Sequence, residues 1–126
     1  MNDSEFLESI AKSRVSFLAM LADKIRETDA ALVHLGGNSK YSICAVEDAY
    51  RRFHDLCGIS STLGLDATGR VARTIDAILS VPFRARRGLS QDELRKLNGG
   101  LRFLNLIACN EMRSREFLIV LASDHL

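Results

Sequence analysis

The chain has 126 residues, of which 47% are apolar and 26% charged, a balance that excludes a disordered chain and favours one globular domain over residues 1–126. Its formal net charge is +1, so no overall field draws it to nucleic acid or to an anionic membrane surface. No apolar run approaches the roughly 20 residues that a membrane span requires.

The first element in chain order is a long helical region. A single proline and several apolar stripes with a spacing of three to four residues predict an all-α fold of four or five helices. The first region runs from about Ser4 to Leu35 and stops at Gly36-Gly37, a natural left-handed end. An extra N-terminal helical segment within this region would account for a fifth helix.

The second helix is expected to begin at Asn38 or Ser39 as its N-cap and to end near Leu63, where Gly64 supplies a stop. It contains His54 near its middle. At about 100° per residue, His54 falls at the edge of the apolar face of this helix, so we expect its ring to reach solvent.

The remaining two helices complete the bundle. Asp66 is expected to cap the third, which ends before or around Pro82, and Ser90 with Glu93 forms a capping box for the fourth. The pair Gly99-Gly100 is expected to kink or loosen the fourth helix. Short glycine-bearing connections between long amphipathic helices favour antiparallel neighbours. We therefore predict an antiparallel, up-down-up-down four-helix bundle.

A glycine one turn after a histidine marks the candidate functional segment. Residues 54–64 read His-Asp-Leu-Cys-Gly-Ile-Ser-Ser-Thr-Leu-Gly. Gly58 costs this helix about 1 kcal/mol relative to alanine, so a partner that must approach His54 closely is one good reason for it. Glu47, Arg51 and Ser61 lie on the same flank of the helix as His54 and Gly58.

This segment resembles the signature of histidine-containing phosphotransfer (HPt) domains, roughly H-x-L-K-G-[SA]-[SA]-x-x-[LIV]-G. The matching residues are His54, Leu56, Gly58, Ser60, Leu63 and Gly64. The chain departs from the signature at Cys57, where the family usually has lysine, and at Ile59, where it usually has a small residue.

The resemblance implies a phosphoryl carrier rather than an enzyme. Family members shuttle a phosphoryl group between aspartates of receiver domains in multistep His-Asp phosphorelays of two-component signalling. Carried over to this chain, His54 is the phosphorylated residue, Gly58 the opening through which the receiver approaches, and Ser61 a small residue on the docking face, beside Cys57. The receiver brings the aspartate and Mg²⁺, so no cofactor or metal of the chain's own is expected.

Arg51 is a hypothesis from the residues themselves. It lies one turn before His54 and can supply the positive charge that Cys57 does not. Cys57 is most simply read as a small apolar residue of the core, although a redox-sensitive role beside His54 stays open.

Partner and location follow from the same observations. We expect a monomer whose partners are a response-regulator receiver domain, a hybrid histidine kinase, or both, with no nucleic acid or membrane partner. The three cysteines are far apart and lack metal-ligand spacing, and Asp3, Glu5 and Glu8 precede the first apolar run, unlike a secretory signal. A cytoplasmic protein is therefore expected.

Two other functions stay open. A pseudo-HPt module would dock a receiver or kinase without accepting phosphate, which the missing lysine permits, and a plain helical adaptor would carry His54 incidentally. His34 and His125 have no comparable surroundings. The sequence has no phosphate-binding glycine loop, metal-ligand cluster or nucleophile elbow, which argues against a conventional enzyme.

Overall fold

A computed structural model describes the backbone of residues 2–124 and the side chains of residues 2–115. These residues form five α-helices: α1 (Asp3–Leu35), α2 (Lys40–His54), α3 (Leu56–Thr62), α4 (Asp66–Ala85) and α5 (Gln91–Asp124). The prediction of an all-α helical bundle is confirmed. In this part of the chain, no helix has both the length and the apolar character needed to cross a membrane.

The helices surround one apolar core. α1 packs against α2 and α5, and α4 packs against α2, α3 and α5. The buried core side chains come from every helix and from two connections: Phe17, Leu21, Leu35, Val46, Ala49, Phe53, Leu56, Leu65, Ala72, Ile75, Leu79, Leu89, Leu97, Leu101, Leu104 and Ala108. Arg14 of α1 donates a hydrogen bond to the carbonyl oxygen of Leu63, just after α3, and Gly36, just after α1, pairs with Leu89, which precedes α5.

The N-terminal region is one unbroken helix, so no separate extra helical segment occurs between residues 3 and 35. Asn2 and Glu5 form a capping box at its start. The chain leaves α1 at Gly36, and the left-handed residue is Gly37, with φ of 99°. The predicted stop is therefore confirmed.

The second predicted helix is interrupted. Ser39 caps it as expected, accepting a hydrogen bond from the Ser42 N–H, but α2 ends at His54, and α3 begins two residues later. The interruption falls at Asp55, and aspartate is a weak helix former that favours helix ends. The prediction of His54 in mid-helix is wrong, because this stretch does not sustain one regular helix.

The third predicted helix, α4, begins and ends differently from the prediction. Asp66 lies in the first turn of α4, and the cap is instead Glu111 of α5, whose carboxylate accepts hydrogen bonds from the N–H groups of Ala67 and Thr68. The helix continues through Pro82, which is buried, and ends where Arg86 adopts a left-handed conformation with φ of 53°. Burial of the proline ring offsets the loss of one backbone hydrogen bond.

The fourth predicted helix keeps its capping box. Ser90 and Glu93 exchange hydrogen bonds of 2.8 and 3.1 Å between backbone N–H and side-chain oxygen. α5 runs through Gly99-Gly100 without interruption. A Cβ on Gly100 would lie 3.2 Å from Cγ1 of Ile75, so this glycine allows α5 to approach α4 closely, and the expected loosening does not occur.

Candidate functional site

His54 is the last residue of α2 and points to the surface of the bundle. Its side chain is 55% exposed, which confirms the expectation of a ring at the solvent edge. The neighbouring core residue Phe53 is fully buried and anchors the end of the helix. The imidazole is therefore accessible while its backbone is held by the core.

Asp76 of α4 contacts the ring. The distance between Asp76 Oδ1 and His54 Nδ1 is 3.2 Å, and the Asp76 side chain is only 23% exposed. Among the described residues, His54 Nε2 makes no hydrogen bond. In the sequence, Asp76 follows the core residue Ile75, which puts it at the edge of the apolar face of its helix. Helical periodicity alone does not tell which neighbouring helix that edge faces.

An aromatic stack of two rings, Tyr50 and Phe83, packs against one face of the imidazole. The ring of Tyr50 stacks on His54 with centroids 5.0 Å apart and an interplanar angle of 30°. Tyr50 also stacks on Phe83 of α4, with centroids 4.3 Å apart and an angle of 11°. This stack ties the end of α2 to α4, so the same helix pair that brings Asp76 to Nδ1 also limits rotation of the ring.

Arg51 lies one turn before His54, as predicted, but its guanidinium is paired. It forms an ion pair with Glu47, and its side chain is 70% exposed. Exposed ion pairs of this kind contribute little free energy, so Arg51 can exchange this partner for another anion at small cost.

Gly58 lies on the exposed side of α3 and opens onto solvent. A Cβ at this position would meet no atom within 4 Å outside its own helix. Ser61 is also exposed, whereas Cys57 is half-buried against the core. Of the docking residues predicted on α3, Gly58 and Ser61 are thus exposed, whereas the thiol of Cys57 packs inward.

A shallow apolar groove runs between α1 and α3 beside Gly58. Its volume is about 800 Å³, and Phe17 and Met20 of α1 face Ile59 and Leu63 across it. Ile59 is 40% exposed. Sequence reasoning missed the contribution of α1, because periodicity does not reveal which helix lies next to α3.

The other two histidines differ in setting. The ring of His34 packs edge-on against Tyr41 with centroids 5.0 Å apart, and it has no carboxylate partner in the described part of the chain. His125 lies outside the described residues. Within residues 2–115, no three histidine, cysteine, aspartate or glutamate side chains cluster as a metal-binding group.

No protein-family model matches this chain, and no match was found among curated proteins or solved structures. Residues 54–64 resemble the HPt signature over this short segment alone.

Proposed function

We propose that this protein is a histidine phosphotransfer protein that carries a phosphoryl group on His54 between receiver domains. The observation that carries the proposal is an exposed imidazole held by Asp76 and Tyr50, whose Nε2 makes no hydrogen bond among the described residues. A firmly positioned nucleophile with an unobstructed approach is what in-line attack on phosphorus requires.

The partner would complete the reaction. The transition state of phosphoryl transfer spreads negative charge over the phosphoryl oxygens, and metal and cationic groups stabilise it. By the resemblance to HPt domains, the receiver contributes Mg²⁺ and the phosphorylated aspartate, and this chain contributes the nucleophile. A carrier of this kind needs a surface on which the receiver can sit with its aspartate close to His54.

The groove beside Gly58 suits that docking. Gly58, four residues after His54, keeps α3 free of side-chain bulk, and the exposed Ile59 and Met20 offer apolar area that a protein partner can bury. Ser61 adds a small polar side chain on the same helix. The docking face thus includes α1 as well as the α3 residues that the HPt signature suggests.

The direct test is phosphoryl transfer from a phosphorylated receiver domain. We expect the wild-type protein to acquire an acid-labile, base-stable phosphoryl group, and His54→Gln to acquire none because it lacks the nucleophilic nitrogen. His34→Gln is the matched control and should be labelled like the wild type. Equal labelling of wild type and His54→Gln would show that His54 is not the acceptor.

A pseudo-HPt module is the second candidate. Cys57 stands where HPt domains usually have lysine, and the absence of that side chain would weaken stabilisation of the phosphoryl oxygens. Such a module would bind a receiver without accepting its phosphoryl group. A helical adaptor would neither bind the receiver nor accept phosphate, so binding and transfer measured on the same sample distinguish the three functions.

A further inference from the structure

We propose that the protein forms a symmetric dimer through an extension of α1 and α5 that runs beyond the rest of the bundle. This assembly differs from the monomer expected from the sequence and is independent of phosphotransfer by His54. The extension consists of residues 3–13 of α1 and residues 116–124 of α5, which lie beyond the turn between α3 and α4. A second copy of the same chain covers its apolar face.

Two hydrogen bonds mark where the extension begins. The guanidinium of Arg14 donates to the carbonyl oxygen of Leu63 at 2.7 Å, and the guanidinium of Arg115 donates to that of Gly64 at 3.1 Å. Both carbonyl groups belong to the turn at which α3 ends and α4 begins. At 1.5 Å per residue, α1 continues for about 16 Å past this level, where α5 runs beside it and the other three helices do not reach.

The apolar face of α1 continues into the extension without a cover. Phe6 and Ile10 lie within about 20° of Phe17 around the helix axis, on the side of α1 that is buried where the helix passes the bundle. Phe17 is only 4% exposed, whereas Phe6 is 55% exposed. The difference has a simple cause, because Phe17 packs in the core while no other helix of the described residues extends far enough to cover Phe6.

The sequence of α5 also requires a cover for the extension. Residues 117–122 read Phe-Leu-Ile-Val-Leu-Ala, and the backbone is helical through Asp124. A helix that is apolar on every side is expected to be buried, and α1 can cover only one side of it. A second copy of the extension supplies the missing helices, since two pairs of helices packed face to face form a four-helix bundle.

Size and charge favour a second copy in an antiparallel arrangement. The extension offers about 20 residues per chain, the number that a standard interface contributes on each side. Asp3 and Glu5 are exposed at its tip, and the cations Lys12 and Arg113 are exposed at its base. When two extensions lie side by side in opposite directions, each acidic tip reaches the basic end of the other copy, whereas a parallel pair would bring the acidic tips together. A two-fold axis closes this contact, so the assembly stops at two chains.

The test is the mass of the full chain in solution, measured by sedimentation equilibrium over a wide range of concentration. We expect the wild type to be a dimer whose dissociation constant rises at high salt, which screens the attraction between tip and base. Phe6→Asp should raise the dissociation constant at least about tenfold, since each dimer would then have to bury two carboxylates. Phe103→Asp is the matched control, because Phe103 is 51% exposed on α5 within the bundle, and it should dimerise like the wild type.

A second variant separates association from folding. Phe6→Ala adds no charge, keeps a good helix former in α1 and should weaken the dimer by a smaller factor than Phe6→Asp, while circular dichroism verifies that the helices of each variant are retained. A wild type that is monomeric at every concentration overturns the proposal and leaves a different protein or a lipid surface to cover the extension. Unaltered association of both Phe6 variants, or equal weakening by Phe103→Asp, also overturns it, and tighter association at high salt contradicts the antiparallel arrangement.

Discussion

At the scale of single residues, His54 depends on atoms that the chain brings together from two helices. Tyr50 precedes it by one turn and supports the face of its ring, while Asp76 comes from α4 and engages Nδ1. A histidine on an isolated helix would have neither a defined rotamer nor a defined tautomer. The predicted reactivity is therefore a property of the α2–α4 contact and not of the motif alone.

Gly58 offers the sharpest test at this scale. We expect Gly58→Leu to block transfer from a phosphorylated receiver, since the new side chain fills the open space over α3 that the receiver would occupy, while labelling by phosphoramidate, a small donor that needs no docking surface, continues. The free energy of unfolding, measured by urea denaturation, should not fall and can rise by up to about 1 kcal/mol, because leucine is the better helix former.

Gly99 provides the matched control for that substitution. It is exposed on α5 and, like Gly58, has no atom within 4 Å of a built Cβ. Gly99→Leu should therefore change stability similarly and leave receiver transfer intact. Unimpaired transfer in Gly58→Leu would mean that close approach is not the reason for the glycine.

Arg51 and Cys57 test where the positive charge beside His54 comes from. Arg51→Ala should slow transfer from the receiver several-fold or more, since a hydrogen bond from a charged group to a phosphoryl oxygen contributes about 1.5 to 3 kcal/mol when well formed. Cys57→Lys should compensate, because a lysine can keep its stem against the core and extend its ammonium group to solvent.

Single-turnover rates of the wild type, both single variants and the double variant measure the coupling between the two positions. Arg95→Ala, which removes an equally exposed arginine that is paired with Asp92 on α5, is the control and should transfer normally. Additive effects, or full activity of Arg51→Ala, would place the cation on the partner and strengthen the pseudo-HPt alternative.

At the scale of elements, the turn between α3 and α4 is held by side chains from other helices. Arg14 of α1 donates to the carbonyl oxygen of Leu63 at 2.7 Å, and Arg115 of α5 donates to that of Gly64 at 3.1 Å. Glu111 accepts from the first N–H groups of α4. α3 is short and would be marginal alone, so these contacts keep it, and with it Gly58, at a fixed place beside His54.

Carboxylates that cap helices make the stability of the bundle depend on pH. Bidentate hydrogen bonds from Arg87 lower the pKa of Glu93 from 4.5 to about 2, although partial burial opposes the shift. Burial raises the pKa of Glu111, but hydrogen bonds from the N–H groups of Thr68 and Ala67 outweigh it and leave the pKa below its ordinary value. Both groups thus bind a proton less readily in the folded protein than in the unfolded chain.

The sign of the expected pH effect follows directly. Each carboxylate contributes stability that is complete above the unfolded pKa and is lost as the pH falls through the folded pKa. For Glu93, whose side chain is 19% exposed, we expect a contribution of about 1 to 2 kcal/mol after allowance for solvent screening, lost between about pH 4.5 and 2.

Urea denaturation at several pH values measures this contribution. Glu93→Gln should be less stable than the wild type at pH 7 and should lose less stability on acidification. Glu8→Gln, a substitution at an exposed glutamate of α1, is the control and should follow the wild-type pH profile. If the free energy of unfolding of Glu93→Gln falls on acidification as steeply as that of the wild type, other groups cause the acid sensitivity.

At the scale of the whole molecule, closely packed pairs of helices set the geometry of the site. Gly69 allows α4 to lie near α3, since a Cβ there would be 3.2 Å from the Cβ of Ser60. Side chains of α1 and α3 face each other across the groove beside Gly58. The functional face therefore combines α1, α2, α3 and α4, although the motif that drew attention to it covers only residues 54–64.

Apolar periodicity and end signals in the sequence determined the all-α fold, the cap at Ser39, the stops at Gly37 and Gly64, the capping box at Ser90 and the exposure of His54. These features depend on local backbone preferences and on the burial of one helix face, which neighbouring residues encode.

The tertiary structure alone decided the remaining features: the break after His54, the cap of α4 by Glu111, the passage of α4 through Pro82, and the pairing of His54 with Asp76. Each of these features either joins residues that are distant in the chain or depends on the balance between a local helix preference and the packing of the core. Helical periodicity tells which face of a helix is buried but not which helix covers it, so Asp76 became visible as the partner of His54 only when α2 and α4 were packed together.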